Sequence, residues 1–242
     1  MQFIGLWKKE MAMMRGFHII VGLGLLAVIV WMIFNKGDET QIVSITGLAS
    51  ISLVIMPATI IFSLNMEVHE LVLFLYRRNT IAKMIHIKFL HGFLNSVVFF
   101  IATLLLAFIL KLFNRIHFNL SDFFQEFAFN MLDFGLISIV GSILLYCAWV
   151  LQQWLKYKIG ASISMVIIIA LIYQCTYLIP MIGDFLTFFS GLWKVKYNVF
   201  YESNQLILEE NYISFSYIIA LILLLILIYS LVTLLLKRKV EV

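Results

Sequence analysis

Six apolar runs dominate this chain, at residues 17–34, 42–64, 89–110, 131–151, 159–179 and 217–236. Each is long enough to cross a hydrocarbon core of about 30 Å as an α-helix rising about 1.5 Å per residue. No other feature limits the fold so strongly. A water-soluble globule of 242 residues lacks the polar surface to enclose six such helices. Composition agrees: 63% of the residues are hydrophobic and 12% are charged, against about 45–50% and about 25% in a soluble domain. An ordinary cytosolic enzyme is excluded. The runs are continuously apolar instead of alternating in short pieces, which selects helices over barrel strands. The sequence therefore predicts an all-α polytopic membrane protein with six transmembrane helices. Two prolines and two cysteines exclude a Pro-rich linker and a disulfide scaffold. Cys147 and Cys175 fall inside apolar runs and read as small buried hydrophobes.

Residues 1–16 precede the six-span domain at 17–242. Phe3, Trp7, Met11 and Met14 recur there at helical spacing, with Lys8, Lys9 and Arg15 supplying charge. This pattern predicts an amphipathic helix lying in the interface, its aromatic face in the lipid boundary. A cleavable signal peptide is disfavoured, because the first apolar run ends in Trp31, Met32, Ile33 and Phe34 without a small-residue cleavage site.

Charge sets the orientation. With the N-terminus inside, twelve of the 17 Lys and Arg residues fall on inner segments, among them Lys8, Lys9, Arg77, Arg78, Lys83, Lys88 and Lys156. Nine of the 13 acids fall outside. This asymmetry predicts a cell-membrane protein with both termini in the cytoplasm. Orientation and anionic lipid then account for the basic net charge, and no nucleic-acid partner is expected.

The patterns of catalysis are missing. No Gly-rich run is followed by Lys-Ser or Lys-Thr, so the chain has no ATP site of its own. His69-Glu70 opens like a zinc-protease motif, but Leu73 stands where its second His belongs. Glu209-Glu210 resembles the paired glutamates of intramembrane CAAX-type proteases, yet Ser214 replaces the Arg that pattern needs and the pair lies in an outer loop. Gly141-Ser142 reads as close helix packing. His86 and His91, five apart, read as interfacial histidines on different helix faces. Ionisable residues deep in the spans are expected to be nearly absent. Asp133, at the outer end of the fourth span, is the one candidate, and an acid there favours the helix N-terminus. No catalytic residue, metal site or cofactor is expected.

The segment at 65–88 is the most informative. It reads NMEVHELVLFLYRRNTIAKMIHIK. Glu67 and Glu70 stand three apart, on one helix face just inside the membrane. An apolar stretch at 71–76 follows, with Leu73, Phe74 and Leu75, then the basic turn Arg77-Arg78-Asn79-Thr80. Thr80 is placed to cap the next helix, with Lys83 on its first turn and Lys88 further on. The layout is a short cytoplasmic helix-turn-helix whose apolar patch seeks a partner, lipid or the protein's own helices.

In this order and spacing the chain resembles the type-two class of ABC exporter permeases, small six-span subunits that pair with a separate ATPase. In that family the loop between spans two and three carries a Glu-containing stretch, a short coupling helix, a turn commonly read as Pro-x-Ser-Arg, and a Lys leading into span three. Here Glu67 and Glu70 match the first element, 71–76 the coupling helix, and Lys83 or Lys88 the Lys. The turn at 77–80 has no proline. The helix at 1–16 is similar to the family's connecting helix. The outer segment at 180–216 stands where the family has re-entrant helices, and its first part, PMIGDFLTFFSGLW, is too short to cross.

The resemblance implies an ATPase dimer beneath two permease chains, identical or similar, with ATPase coupling through Glu67, Glu70, Leu73, Phe74, Leu75, Arg77, Arg78 and Lys83. Abundant Phe (22) and Met (11) with little buried charge favour an amphipathic or apolar cargo. Small permeases of this family often serve peptide export or self-protection from bacteriocins. Pro57 is placed to kink the second span and shape the path. The alternative is a membrane immunity or scaffold protein that binds a partner without transport.

Overall fold

A computed structural model describes residues 2–34, 38–68, 78–113, 120–187, 194–201 and 207–239. Among these, helices stand at all six apolar runs. After α1 (Gln2–Met13) come α2 (Arg15–Phe34), α3 (Asp38–Val68), α4 (Arg78–Leu112), α5 (Leu120–Ile159) and α6 (Ala161–Thr187); α7 (Phe215–Lys239) ends the chain's helical part. Five helical stretches are long and apolar enough to cross a membrane: Arg15–Phe34, Ser50–Glu67, Ile81–Leu112, Gly135–Ile159 and Ile218–Leu236. In α6 the described apolar stretch, Ala161–Gln174, is shorter. Large apolar side chains stand exposed along these helices, as on α2 at Ile19, Ile20, Leu23, Leu26 and Trp31. That is the surface a bilayer covers and water does not.

The segment at 180–216 departs from the expected re-entrant helix. Instead of a re-entrant helix after Pro180, α6 runs on to Thr187, and strands β1 (Lys194–Tyr201) and β2 (Ile207–Ser214) pair antiparallel. Their register sets Lys194 opposite Ser214 and Tyr201 opposite Ile207. The physical reason lies in the pattern, since Val195, Lys196, Tyr197, Asn198 and Val199 alternate apolar with polar, a period of two that suits a strand. Glu209 and Glu210 therefore stand on a strand, opposite Val199 and Asn198.

The chain divides into two compact units. The first comprises Met1–Phe123 with Asp133–Ser142. In it α3 packs along α4, with α1 and α2 against them. Leu48, Ile55 and Phe99 form a buried cluster with Val21 and Leu25 packed on it, and Met32, Ile45 and Ala107 form another. Gly92 on α4 allows the close approach: a Cβ there would stand 3.1 Å from the Met56 carbonyl oxygen and 3.2 Å from Ile60 Cγ1.

Pro57 lies buried inside α3. Proline has no N–H, so the carbonyl four residues earlier, at Leu53, loses its helical donor. Ser138 on α5 supplies another: its Oγ donates to the Leu53 oxygen at 2.9 Å. Beside it, Gly141 leaves 4.0 Å between the position of a Cβ and Pro57 Cγ. Gly141 thus stands at ordinary van der Waals spacing from α3, and Ser142 beside it is buried with its hydroxyl on the Ser138 carbonyl of its own helix.

The second unit comprises Phe124–Leu132 with Ile143–Val242. Tyr146 on α5 is fully buried, and its hydroxyl lies 3.3 Å from Thr233 Oγ1 on α7. Thr233 donates its own proton to the Tyr229 carbonyl at 2.8 Å, so Tyr146 is the donor of the pair. One residue separates α5 from α6: Gly160, with φ at +86°. Its N–H bonds the Lys156 carbonyl at 3.1 Å and its carbonyl accepts from Ser164 N–H at 3.2 Å. That left-handed turn closes one helix and opens the next. The Cys147 side chain is half-buried.

Candidate functional site

The first unit holds a buried cluster of ionisable groups where α1, α3 and α4 meet. Residues Lys88, His91 and Asn95 follow at steps of three and four along α4, so they share one face of that helix. On α3, Thr59, Ser63 and Glu67 follow at steps of four and form a facing stripe. Glu10 comes from α1 and is buried with them.

Lys88 is the centre of this cluster. Its side chain is 1% exposed, and its ammonium lies 3.1 Å from Glu10 Oε2 and 3.0 Å from Glu67 Oε2. It also donates to the Ser63 hydroxyl, which in turn donates to Glu10 Oε1. The contact with Glu67 is one of charge, because Glu67 Oε2 makes no hydrogen bond. Lys9 closes the set from the rim, donating to Glu67 Oε1 at 3.1 Å with about half its side chain exposed. Two cations thus meet two carboxylates, the arrangement in which buried charge is tolerated.

One turn deeper stands His91, 1% exposed, with no hydrogen-bond partner for either ring nitrogen. Its Nδ1 is 4.0 Å from Glu10 Oε1. Trp7 of α1 meets the ring edge-on at 5.5 Å, and His18 of α2 does so at 5.1 Å. The Asn95 amide reaches His18 Nε2 at 3.1 Å. A small pocket beside the cluster, lined by Leu6, Lys9, Glu10, Glu67, Met84, Ile87 and Lys88, has room for about one water molecule. Among the described residues, no three of His, Cys, Asp and Glu converge as a metal site. Chemically, the arrangement is an ionic joint between helices.

Several expectations change here. Charges that the sequence places at the edges of the spans are not left in water: Glu10, Glu67, Lys88 and His91 are buried together. Mutual neutralisation allows it, and a residue's own neighbours in sequence do not reveal its partner. His91 is buried, unlike an interfacial histidine, whereas His86 is exposed with Nδ1 against the Ala82 carbonyl. The face of α1 expected in lipid is divided. Phe3 and Met11 are exposed, but Trp7 covers His91 and Met14 is fully buried. Glu10, three residues after Trp7 and four before Met14, shares that inner face. Helical hydrogen bonds continue through Met14, from its N–H to the Glu10 carbonyl at 2.9 Å and from His18 N–H to its carbonyl at 3.0 Å.

Of the coupling residues proposed from sequence, Glu67 joins the cluster, and Lys83 is exposed away from it. Lys88 is the lysine that pairs with Glu67. Glu70, Leu73, Phe74, Leu75 and Arg77 lie outside the described residues. The backbone of Arg78 begins α4, which puts Thr80 within the first turn instead of at the cap, and Arg78's side chain lies outside the described part. Asp133 lies 13 residues inside α5 instead of at a helix N-terminus, because the helix already begins at Leu120; its side chain is outside the described part. Pro57 is on α3, six residues before Ser63 of the cluster, and its helix is bridged to α5 through Leu53.

No protein-family model matches this chain, and no curated protein or solved structure does.

Proposed function

We propose that this chain is the membrane permease subunit of an ATP-driven exporter, with six spans, both termini in the cytoplasm, and ATP hydrolysis carried by a partner chain. The observation that supports this reading is the ionic joint. Glu67 lies one residue before the end of α3, and Lys88 lies in the third turn of α4. In sequence, residues 69–77 join α3 to α4. A partner pulling on that segment would move a braced pair of spans instead of a slack loop, which is what conversion of ATPase closure into span movement requires. Leu73, Phe74 and Leu75 offer apolar area to such a partner, and Arg77 and Arg78 offer charge. A second permease chain completes the path, and an amphipathic or hydrophobic peptide is the cargo that suits spans rich in Phe and Met.

Co-purification with a P-loop ATPase encoded beside this gene is the direct test. The expected result is a stable complex whose ATPase activity the permease stimulates. Charge reversal at Arg77 and Arg78 is expected to abolish both. Complex formation and stimulation that survive the reversal would overturn the coupling assignment. With no ATPase bound, the chain is instead an immunity or scaffold protein that works without transport. Restored peptide secretion or resistance in a deletion strain identifies the cargo class.

A further inference from the structure

We infer that His91 is a proton-binding site, and that its charging releases α1 from the membrane helices. The inference stands on the ring's surroundings and not on the transport reading. His91 is sealed beneath Trp7, with neither nitrogen hydrogen-bonded. The titratable groups around it are Glu10 on α1, His18 on α2 and Lys88 on α4, and Glu67 on α3 pairs with Lys88.

With His91 neutral, the charges balance, since Lys9 and Lys88 offset Glu10 and Glu67. A proton added to His91 makes a third cation with no free carboxylate to meet it. Glu10 Oε1, the acid oxygen 4.0 Å from Nδ1, already takes the Ser63 hydroxyl, while Glu10 Oε2 takes Lys88. An extra buried charge is costly unless water or a counter-ion reaches it. Water reaches the ring when α1, carrying Trp7 and Glu10, lifts away. The charged imidazole is therefore favoured in the lifted state, and by linkage a proton favours lifting. Acidification through the ordinary imidazole range loosens α1, and a return to alkaline pH seats it again.

The test is hydrogen exchange of residues 2–13 in the full chain in lipid nanodiscs. Exchange is compared at about pH 7.5 and about pH 5.5, which bracket the ordinary imidazole range and lie above that of carboxylates. After correction for intrinsic exchange, protection of the wild type is expected to fall on the order of tenfold at the lower pH. His91→Gln is expected to remove that dependence, and His18→Gln to retain it. Trp7→Ala, which lets water to the ring with α1 seated, reduces the response to about threefold or less by the same linkage. It also gives a second readout should His91→Gln not fold. A wild type whose protection does not change with pH overturns the proposal outright. A response that persists in His91→Gln, or disappears in His18→Gln, overturns the assignment to His91.

Discussion

Lys88 and Glu10 are 78 residues apart in sequence, yet their charged atoms meet at 3.1 Å in a site that excludes nearly all solvent. The pair ties the N-terminal helix to α4, and Ser63 and Glu67 tie both to the end of α3. Removing one member of such a set strands the others.

Lys88→Met is therefore expected to lower stability by about 3–5 kcal/mol, because Glu10 and Glu67 lose their buried cation. Adding Glu10→Gln and Glu67→Gln removes the stranded charges and is expected to recover most of the loss. Lys9→Ala, on the half-exposed rim, costs less than about 1 kcal/mol. Reversible unfolding in detergent micelles measures all three; equal losses for Lys9→Ala and Lys88→Met would refute this ranking.

The bond from Ser138 to Leu53 exists because Pro57 cannot make its own. Ser138→Ala leaves the Leu53 carbonyl without that donor, at a cost of about 1–3 kcal/mol. In a Pro57→Ala background, the new N–H at position 57 can serve the same carbonyl, so Ser138→Ala costs less. A double-mutant cycle reads the difference, and additivity within about 0.5 kcal/mol would show that the two sites are uncoupled.

Gly92→Ala forces a methyl group against the Met56 backbone oxygen at 3.1 Å. It is expected to destabilise the α3–α4 pair by about 1–3 kcal/mol. Gly22→Ala meets nothing within 4 Å on α2 and is expected to gain up to about 1 kcal/mol from helix propensity. Comparing melting temperatures of the two variants with wild type checks both signs.

Gly160→Ala places a Cβ on a residue at φ +86°, where an L side chain is strained by about 1–2 kcal/mol. Gly160→Asn is expected to cost less, since asparagine tolerates this region better. Equal melting temperatures for the two variants would argue that the turn between α5 and α6 relaxes.

The helices were legible in the residues alone because the governing quantity is local. A run of about 20 apolar side chains must satisfy its own backbone hydrogen bonds in lipid, whatever surrounds it. The strand pair of 194–201 with 207–214 is also written locally, in the alternation from Val195 to Val199, but the apolar stretch just before it is equally compatible with a re-entrant helix. Within the cluster, Glu67 was legible as an acid at the end of a span, and Lys88 as one of two lysines leading into the next. Glu10, Ser63, His18 and His91 were not. Spacing along α4 puts Lys88 and His91 on one face, but it says nothing of which face meets α1.

By itself, then, the sequence determined a helical membrane protein and the segments that form its helices, through hydrophobic length. Only the tertiary structure decided which ionisable side chains are buried together. A charge enters the interior only opposite its partner, and the partners of Lys88 come from two other helices, at positions 10 and 67.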